Sequence, residues 1–119
     1  MLPAGNRMTR SAEFSYAVKH GVRASQPDLV VHACRDADGS AAAPRIGFIV
    51  SKSVGNAVDR HRVARRLRHA VRAVITELDP GDRVVVRALP GSRTAISARL
   101  REELRVGLRR AHDLLERRR

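Results

Sequence analysis

Asn56-Ala57-Val58-Asp59-Arg60-His61-Arg62-Val63-Ala64-Arg65-Arg66-Leu67-Arg68-His69-Ala70-Val71-Arg72-Ala73-Val74-Ile75-Thr76-Glu77-Leu78 is the stretch on which the fold turns. At about 100° per residue, Val63, Leu67, Ala70, Val71, Val74, Ile75 and Leu78 fall on one stripe, so the spacing predicts a helix packed along one side. Asp79-Pro80-Gly81 ends it. Asn56 is the expected N-cap, and Asp59 three residues later supplies an acidic capping box at the positive end of the helix dipole. Gly55 frees the entry turn.

Working outward, two β-rich runs precede this helix, Leu29 to Cys34 and Ile46 to Ser51, separated by Asp36-Ala37-Asp38-Gly39-Ser40-Ala41-Ala42-Ala43-Pro44. They are expected to form a hairpin with a long loop. Ahead of them, Phe14, Ala17 and Val18 recur at helical spacing between Ser11 and a basic end, Lys19-His20-Gly21. Beyond the central helix, Arg83 to Leu89 is a third strand stopped by Pro90-Gly91, and Ile96, Leu100, Leu104, Leu108, Ala111 and Leu115 define a last helix. The order is α-β-β-α-β-α, which implies a two-layer α/β sandwich of the α+β kind on a small central sheet, one face of which can stay open. With 119 residues there is room for one domain, residues 1–119, with Arg117-Arg118-Arg119 as a frayed basic tail.

Charge narrows the function. Twenty-four basic residues stand against 12 acidic ones, net +12, and all but Lys19 and Lys52 of the cations are arginine. Such an excess makes a polyanion the default partner. Half of it is concentrated: residues 52–72 hold Lys52, Arg60, Arg62, Arg65, Arg66, Arg68 and Arg72 against Asp59 alone, net +6. Arg62, Arg65, Arg66, Arg68 and Arg72, with His61 and His69, project opposite the apolar stripe, and Arg60 projects toward the sheet. Like charges at i,i+4 repel, so a purely solvated face would interleave acids. Phosphates can supply the missing counter-charge. The last helix does interleave: Glu102, Glu103, Asp113 and Glu116 lie among its arginines, as on a solvated outer face.

Other classes lack their residues. One cysteine, Cys34, excludes an internal disulfide, and five scattered histidines give no zinc spacing. Asp36, Asp38, Asp79 and Asp82 flank glycine or proline, as turn residues do, and do not converge as a metal nuclease requires. Phosphate-binding glycine loops and a Ser/His/Asp arrangement are missing, and three aromatics cannot build a stacking sheet. No apolar run approaches the about 18 residues of a membrane span, so the expectation is a cytoplasmic chain with no membrane contact and no obligate protein partner.

Ser51-Lys52-Ser53-Val54-Gly55-Asn56-Ala57-Val58-Asp59-Arg60-His61-Arg62-Val63-Ala64-Arg65-Arg66-Leu67-Arg68 resembles the signature S-K-[KR]-x-G-N-A-V-x-R-N-[RK]-x-K-R-x-x-R of the protein subunit of bacterial ribonuclease P. Glu13-Phe14, Lys19-His20-Gly21, Arg45-Ile46-Gly47-Phe48 and Asp82 to Pro90 extend the likeness over most of the chain. The resemblance implies an α-β-β-α-β-α sandwich with an uncommon left-handed βαβ crossover, grouped with the second domain of ribosomal protein S5. It also implies endonucleolytic removal of the 5′ leader from precursor tRNA. A large catalytic RNA subunit with its Mg2+ ions performs the hydrolysis, and the protein assists. Arg60, Arg62, Arg65 and Arg68 are then assigned to the catalytic RNA, with Lys52, Asn56, His61, Arg66 and Arg72 in the same basic surface. Phe14, His32 and Ile49 map onto a leader cleft between the central helix and the sheet face, from which Phe48 points away.

The departures are specific. His61 replaces the motif's Asn and Ala64 its Lys. Val18 and His32 replace aromatics. Arg87-Ala88 reverses the common Ala-Arg order, which is expected to send Arg87 to the other sheet face. The competing reading is a general RNA- or DNA-binding module, such as a ribosomal or nucleoid protein. A third, a self-sufficient nuclease, would have to rest on His61.

Overall fold

The computed structural model describes residues 4–8, 11–35 and 43–118. After a short 3-10 turn at Ala4–Asn6 come α1 (Ser11–His20), β1 (Val22–Ser25), β2 (Leu29–Arg35), β3 (Arg45–Ile49), α2 (Ala57–Arg72), β4 (Asp82–Ala88) and α3 (Ser97–Arg117), with further 3-10 turns at Ile75–Glu77 and Pro90–Arg93. The anticipated order is thus present with one strand added. β1 pairs antiparallel with β2, and together they form the hairpin. The expected hairpin between β2 and β3 does not form. The sheet order is β1-β2-β4-β3, so β4 lies between them, antiparallel to β2 and parallel to β3. Residues 36–42 of the predicted loop, with Asp36 and Asp38, lie outside the described residues.

Register sorts the side chains. Val22, Ala24, Leu29, Val31, Ala33, Ile46, Val84, Val86 and Ala88 share one face, and with Val63, Leu67, Ala70 and Val71 of α2 and Leu100, Leu104, Leu108, Ala111 and Leu115 of α3 they make the main core. Each fully buried Val or Leu contributes about 1.5–3 kcal/mol by leaving water. Gly107 lets α3 sit close on β2, since a β-carbon there would press on Val31 Cγ2. The opposite face is not open throughout. α1 covers part of it, where Ala17, Phe14 and Val18 pack with Met8, Cys34, Val85 and Ile49. That makes a third, partial layer where two were expected, and it explains why β2 is buried on both sides.

Three boundaries move. α2 ends at Arg72 and not at Leu78: the Ala73 and Val74 amides bond to the carbonyls of Ala70 and Val71, tightening the chain toward the 3-10 turn. The β-branched run Val74-Ile75-Thr76 disfavours further helix, and Val74 stays buried. Ile96 precedes α3 and is 69% exposed, so it is no core residue. Glu103, expected on a solvated face, is buried, and its Oε1 accepts the Asp28 backbone N–H at 2.7 Å. At the chain end, Arg118 donates to the His20 carbonyl at 2.8 Å. Arg119 lies outside the described residues.

Candidate nucleic-acid interface

The first turn of α2 is built as its sequence requires. Asn56 Oδ1 accepts from the Asp59 amide at 2.8 Å, and Asp59 Oδ2 accepts from the Asn56 amide at 3.2 Å, a complete capping box. Gly55 enters it at φ +155°, and a β-carbon there would overlap Asp59. Asn56 is thus engaged in capping through one lone pair of its side-chain oxygen. Lys52 is exposed in the preceding turn, which closes through Gly55 N–H to the Lys52 carbonyl at 3.2 Å.

From this anchor the cations of α2 part to two flanks. Arg60, His61, Ala64 and Arg68 border a cavity of about 780 Å³ whose other walls are Arg7, Met8 and Phe14 on one side and Ile46, Phe48, Val50 and Ala57 on the other. The cavity lies at the outer edge of β3, the edge strand. Ile46 and Phe48 bring to it the sheet face that α2 covers, and Gly47 with Phe14 the α1 face, so it wraps the β3 edge beside the main core. Gly47 shapes it: a β-carbon there would overlap the Phe14 ring, so its absence lets the ring lie against β3. Phe48, expected to point away, lines the cavity.

Of the three residues assigned to a leader cleft, Phe14 alone borders this cavity. His32 and Ile49 are on the α1 face, Ile49 packed with Val85 and Ala17, and His32 only 5% exposed. Burial, then Arg23 and Arg87, hold the His32 imidazole below its ordinary pKa, so it is a neutral ring at pH 7. Arg87 pairs with Val30 and Ile49 in register and shares the His32 face, opposite to the core face that Ala88 joins. Arg23 and Arg87 are exposed there.

The second flank faces α3. Arg62, Arg65, Arg66, His69 and Ala70 form a groove of about 320 Å³ with Ser97 and Arg101. Arg66 donates to the Ala95 carbonyl at 3.2 Å. Arg72 is exposed at the end of the helix. Among the described residues, no Asp or Glu pairs with Arg60, Arg62, Arg65, Arg66, Arg68 or Arg72. Six acids are engaged elsewhere, Asp79, Asp82 and Glu116 on Arg35, Glu13 on Arg45, and Asp28 and Glu103 on Arg99, and Asp59 is held in the cap of α2. Self-neutralisation therefore does not quench the field of α2.

Arg7, Phe48, Ser97 and Arg101 were not anticipated in any site. A signal existed for Arg101, whose i,i+4 neighbours are Ser97 and Arg105 and not acids. Arg7 gave none, since it joins β3 only through an isolated bridge to Ile46. Asp79, His112 and Glu116 approach one another closely enough for a metal, but the Arg35 guanidinium contacts all three, Asp79 and Glu116 at 3.0 Å and His112 at 3.2 Å. A cation already fills that position. No helix among the described residues is long and apolar enough to cross a membrane.

Comparison with known proteins places these features in company. The family model described as Ribonuclease P matches residues 2–112. The chain is 64% identical over 112 residues to the ribonuclease P protein component of Mycobacterium avium, covering 92% of this chain and 94% of that one. It resembles in fold the Staphylococcus aureus RNase P protein, with a TM-score of 0.77 at 24% identity over 89% of this chain and 94% of that one. The Thermotoga maritima RNase P protein superposes with a TM-score of 0.68 at 22% identity, over 93% and 96% of the two chains.

Proposed function

Given that the chain belongs to the ribonuclease P protein family, and so is a component of a ribonucleoprotein endoribonuclease that works with an RNA subunit, we propose that α2 joins that catalytic RNA to the 5′ leader of precursor tRNA. The observation that carries this reading is the row of guanidinium groups on α2, unpaired with acids and split between an aromatic-bearing cavity and a groove against α3.

The chemistry follows from what each flank offers. Phe14 and Phe48 give a single strand two apolar ring surfaces, and Arg60, Arg68 and Arg7 surround them with positive charge. A base stacked on an aromatic ring is stabilised by about 1–3 kcal/mol, while each phosphate neutralised releases condensed counterions. The leader is thereby held in one path past the N-terminal half of α2. Lys52, Arg62, Arg65, Arg66 and Arg72 supply contacts to the catalytic RNA.

Bond cleavage belongs to the RNA subunit in this proposal. No Asp or Glu lines the cavity, so the protein does not offer there the oxygen donors Mg2+ requires. His61 is exposed and, among the described residues, no carboxylate orients it, which suits a hydrogen bond to RNA better than general-base work. Magnesium is assigned to the RNA, and the protein's part is affinity and position. The parallel β3–β4 pair joined through α2 is the unit to which the family resemblance assigns a left-handed crossover and the ribosomal protein S5 grouping, and the cytoplasm is the compartment this work implies.

Reconstitution tests the reading. With the cognate catalytic RNA at low magnesium, adding the protein should restore cleavage of leader-bearing precursor tRNA. Equal rates with and without folded protein would refute it, and preferential binding to ribosomal RNA or bulk DNA would favour a general binding module.

A further inference from the structure

The groove between α2 and α3 is a built cationic site with walls from two helices. α2 contributes Arg62, Arg65, Arg66 and His69, and α3 contributes Ser97 and Arg101, around about 320 Å³. With a rise of 1.5 Å per residue, the i,i+4 pairs Arg62/Arg66, Arg65/His69 and Ser97/Arg101 each repeat about every 6 Å along their helix. Two such rows face each other across the groove.

Two arginines on the same α3 have opposite environments. Arg99 lies 2.8 Å from Asp28 and 3.1 Å from Glu103. Arg101, two residues on, has no acid partner among the described residues, and neither have Arg62 and Arg65. Arg66 uses one N–H on the Ala95 carbonyl, a fraction of its five donors. The first turn of α3 carries no acid and no side-chain cap, and no acid lines the groove among the described residues. The guanidinium groups carry the site.

Resting on the ribonuclease P reading, we infer that this groove binds backbone phosphates of the catalytic RNA, with Arg101 and Ser97 of α3 completing a site that the α2 arginines begin. Planar guanidinium forks match phosphate oxygens two at a time, and the unrelieved repulsion of Arg62 with Arg66 falls when phosphates lie between them and Arg101. The segment bound here is not the one in the aromatic cavity. At about 100° per residue, the groove residues of α2 lie roughly 130° around the helix from Arg60, His61, Ala64 and Arg68. α2 is a wall with a different stretch of RNA on each side.

Arg101→Ala and Arg101→Lys in the full chain test this, because Arg101 is exposed and its loss leaves the core intact. Binding to the catalytic RNA is measured across a salt series, followed by binding of precursor tRNA with and without its leader to the assembled enzyme. Arg101→Ala should weaken catalytic-RNA binding about three- to tenfold and reduce the salt slope by about one phosphate contact, with unchanged preference for the leader. Arg101→Lys, which keeps the charge and loses the planar fork, should keep the salt slope and recover only part of the affinity. Unchanged affinity and slope, or a loss confined to leader preference, would overturn the inference while leaving the functional reading standing. Displacement of the RNA by millimolar inorganic phosphate at constant ionic strength would mark a free-phosphate pocket and also overturn it. Failure of the wild-type chain to bind the catalytic RNA would instead sink the functional reading on which it rests.

Discussion

Gly47 and Phe14 are matched in shape: the aromatic ring occupies the volume that a β-carbon on residue 47 would need. Gly47→Ala must therefore push the ring off β3 or shift the strand, and over-packing of this kind costs about 1–3 kcal/mol. The displaced ring narrows the cavity at its α1 wall. Leader-bearing precursor should lose affinity relative to a leaderless substrate, while catalytic-RNA binding holds. Phe14→Ala, which empties the wall without the clash, should lose the same preference. Comparing both variants by equilibrium binding checks the geometry, since preserved leader preference in each would show that the leader does not use this ring.

The buried Glu103 gives a pH prediction. Burial first, and the neighbouring Asp28 carboxyl next, raise its pKa above the ordinary glutamate range. An acid with a raised folded-state pKa takes its proton in the folded chain before the unfolded one. Stability from this group is therefore gained as pH falls through the raised value, and the gain is complete below the ordinary glutamate pKa. Urea unfolding from neutral pH downward should show this gain, and Glu103→Gln should flatten it. Glu103→Ala strands the Asp28 amide, which should cost about 1–3 kcal/mol, and the loss should grow as pH falls because the gain on protonation goes with it.

How much of this was legible in the sequence differs by residue. The capping box at Asn56 and Asp59 and the stripe of Val63, Leu67 and Val71 are local patterns, set by chemistry within one helix, and they read correctly. Strand pairing is not local. β3 joins β4 across α2, and nothing in Ile46 to Val50 records which partner it takes. β1 escaped because four residues, Val22 to Ser25, are too short to show alternation. The site divided the same way. The arginines were visible as a cluster, yet their separation onto two flanks depends on where α3 and Phe14 pack. Phe48 joined the site through tertiary neighbours that no spacing reveals, and the acid-free spacing around Arg101 did not show that it would lie beside α2.

His32 predicts a second pH dependence of opposite sign. Its imidazole is held below the ordinary histidine pKa by burial, with Arg23 and Arg87 adding to the effect. The unfolded chain then binds a proton that the folded chain refuses, so this group's contribution is present above the ordinary histidine pKa and is lost as pH falls through it. Melting temperature should drop between pH 7.5 and 5.5 by more in the wild type than in His32→Gln. Direct titration of the ring by NMR supplies the folded-state value, and a normal histidine pKa there would remove the premise.

Arg65 and Arg68 are three residues apart on α2 and border different cavities, Arg65 the groove toward α3 and Arg68 the aromatic cavity. If the helix serves one RNA surface, alanine at either position should weaken the same interaction. If it serves two, the effects must separate. Arg65→Ala should lower catalytic-RNA affinity at all salts and reduce the salt slope by about one contact, with the leader preference intact. Arg68→Ala should leave most of the catalytic-RNA affinity and reduce discrimination between leader-bearing and leaderless tRNA. Neither side chain is in the core, so both variants should melt near the wild-type temperature, whereas Val71→Asp, which buries an unpaired charge, should not fold at all. Indistinguishable losses for Arg65→Ala and Arg68→Ala in both assays would mean that one continuous RNA surface wraps the helix, and the two-flank division of α2 would have to be abandoned.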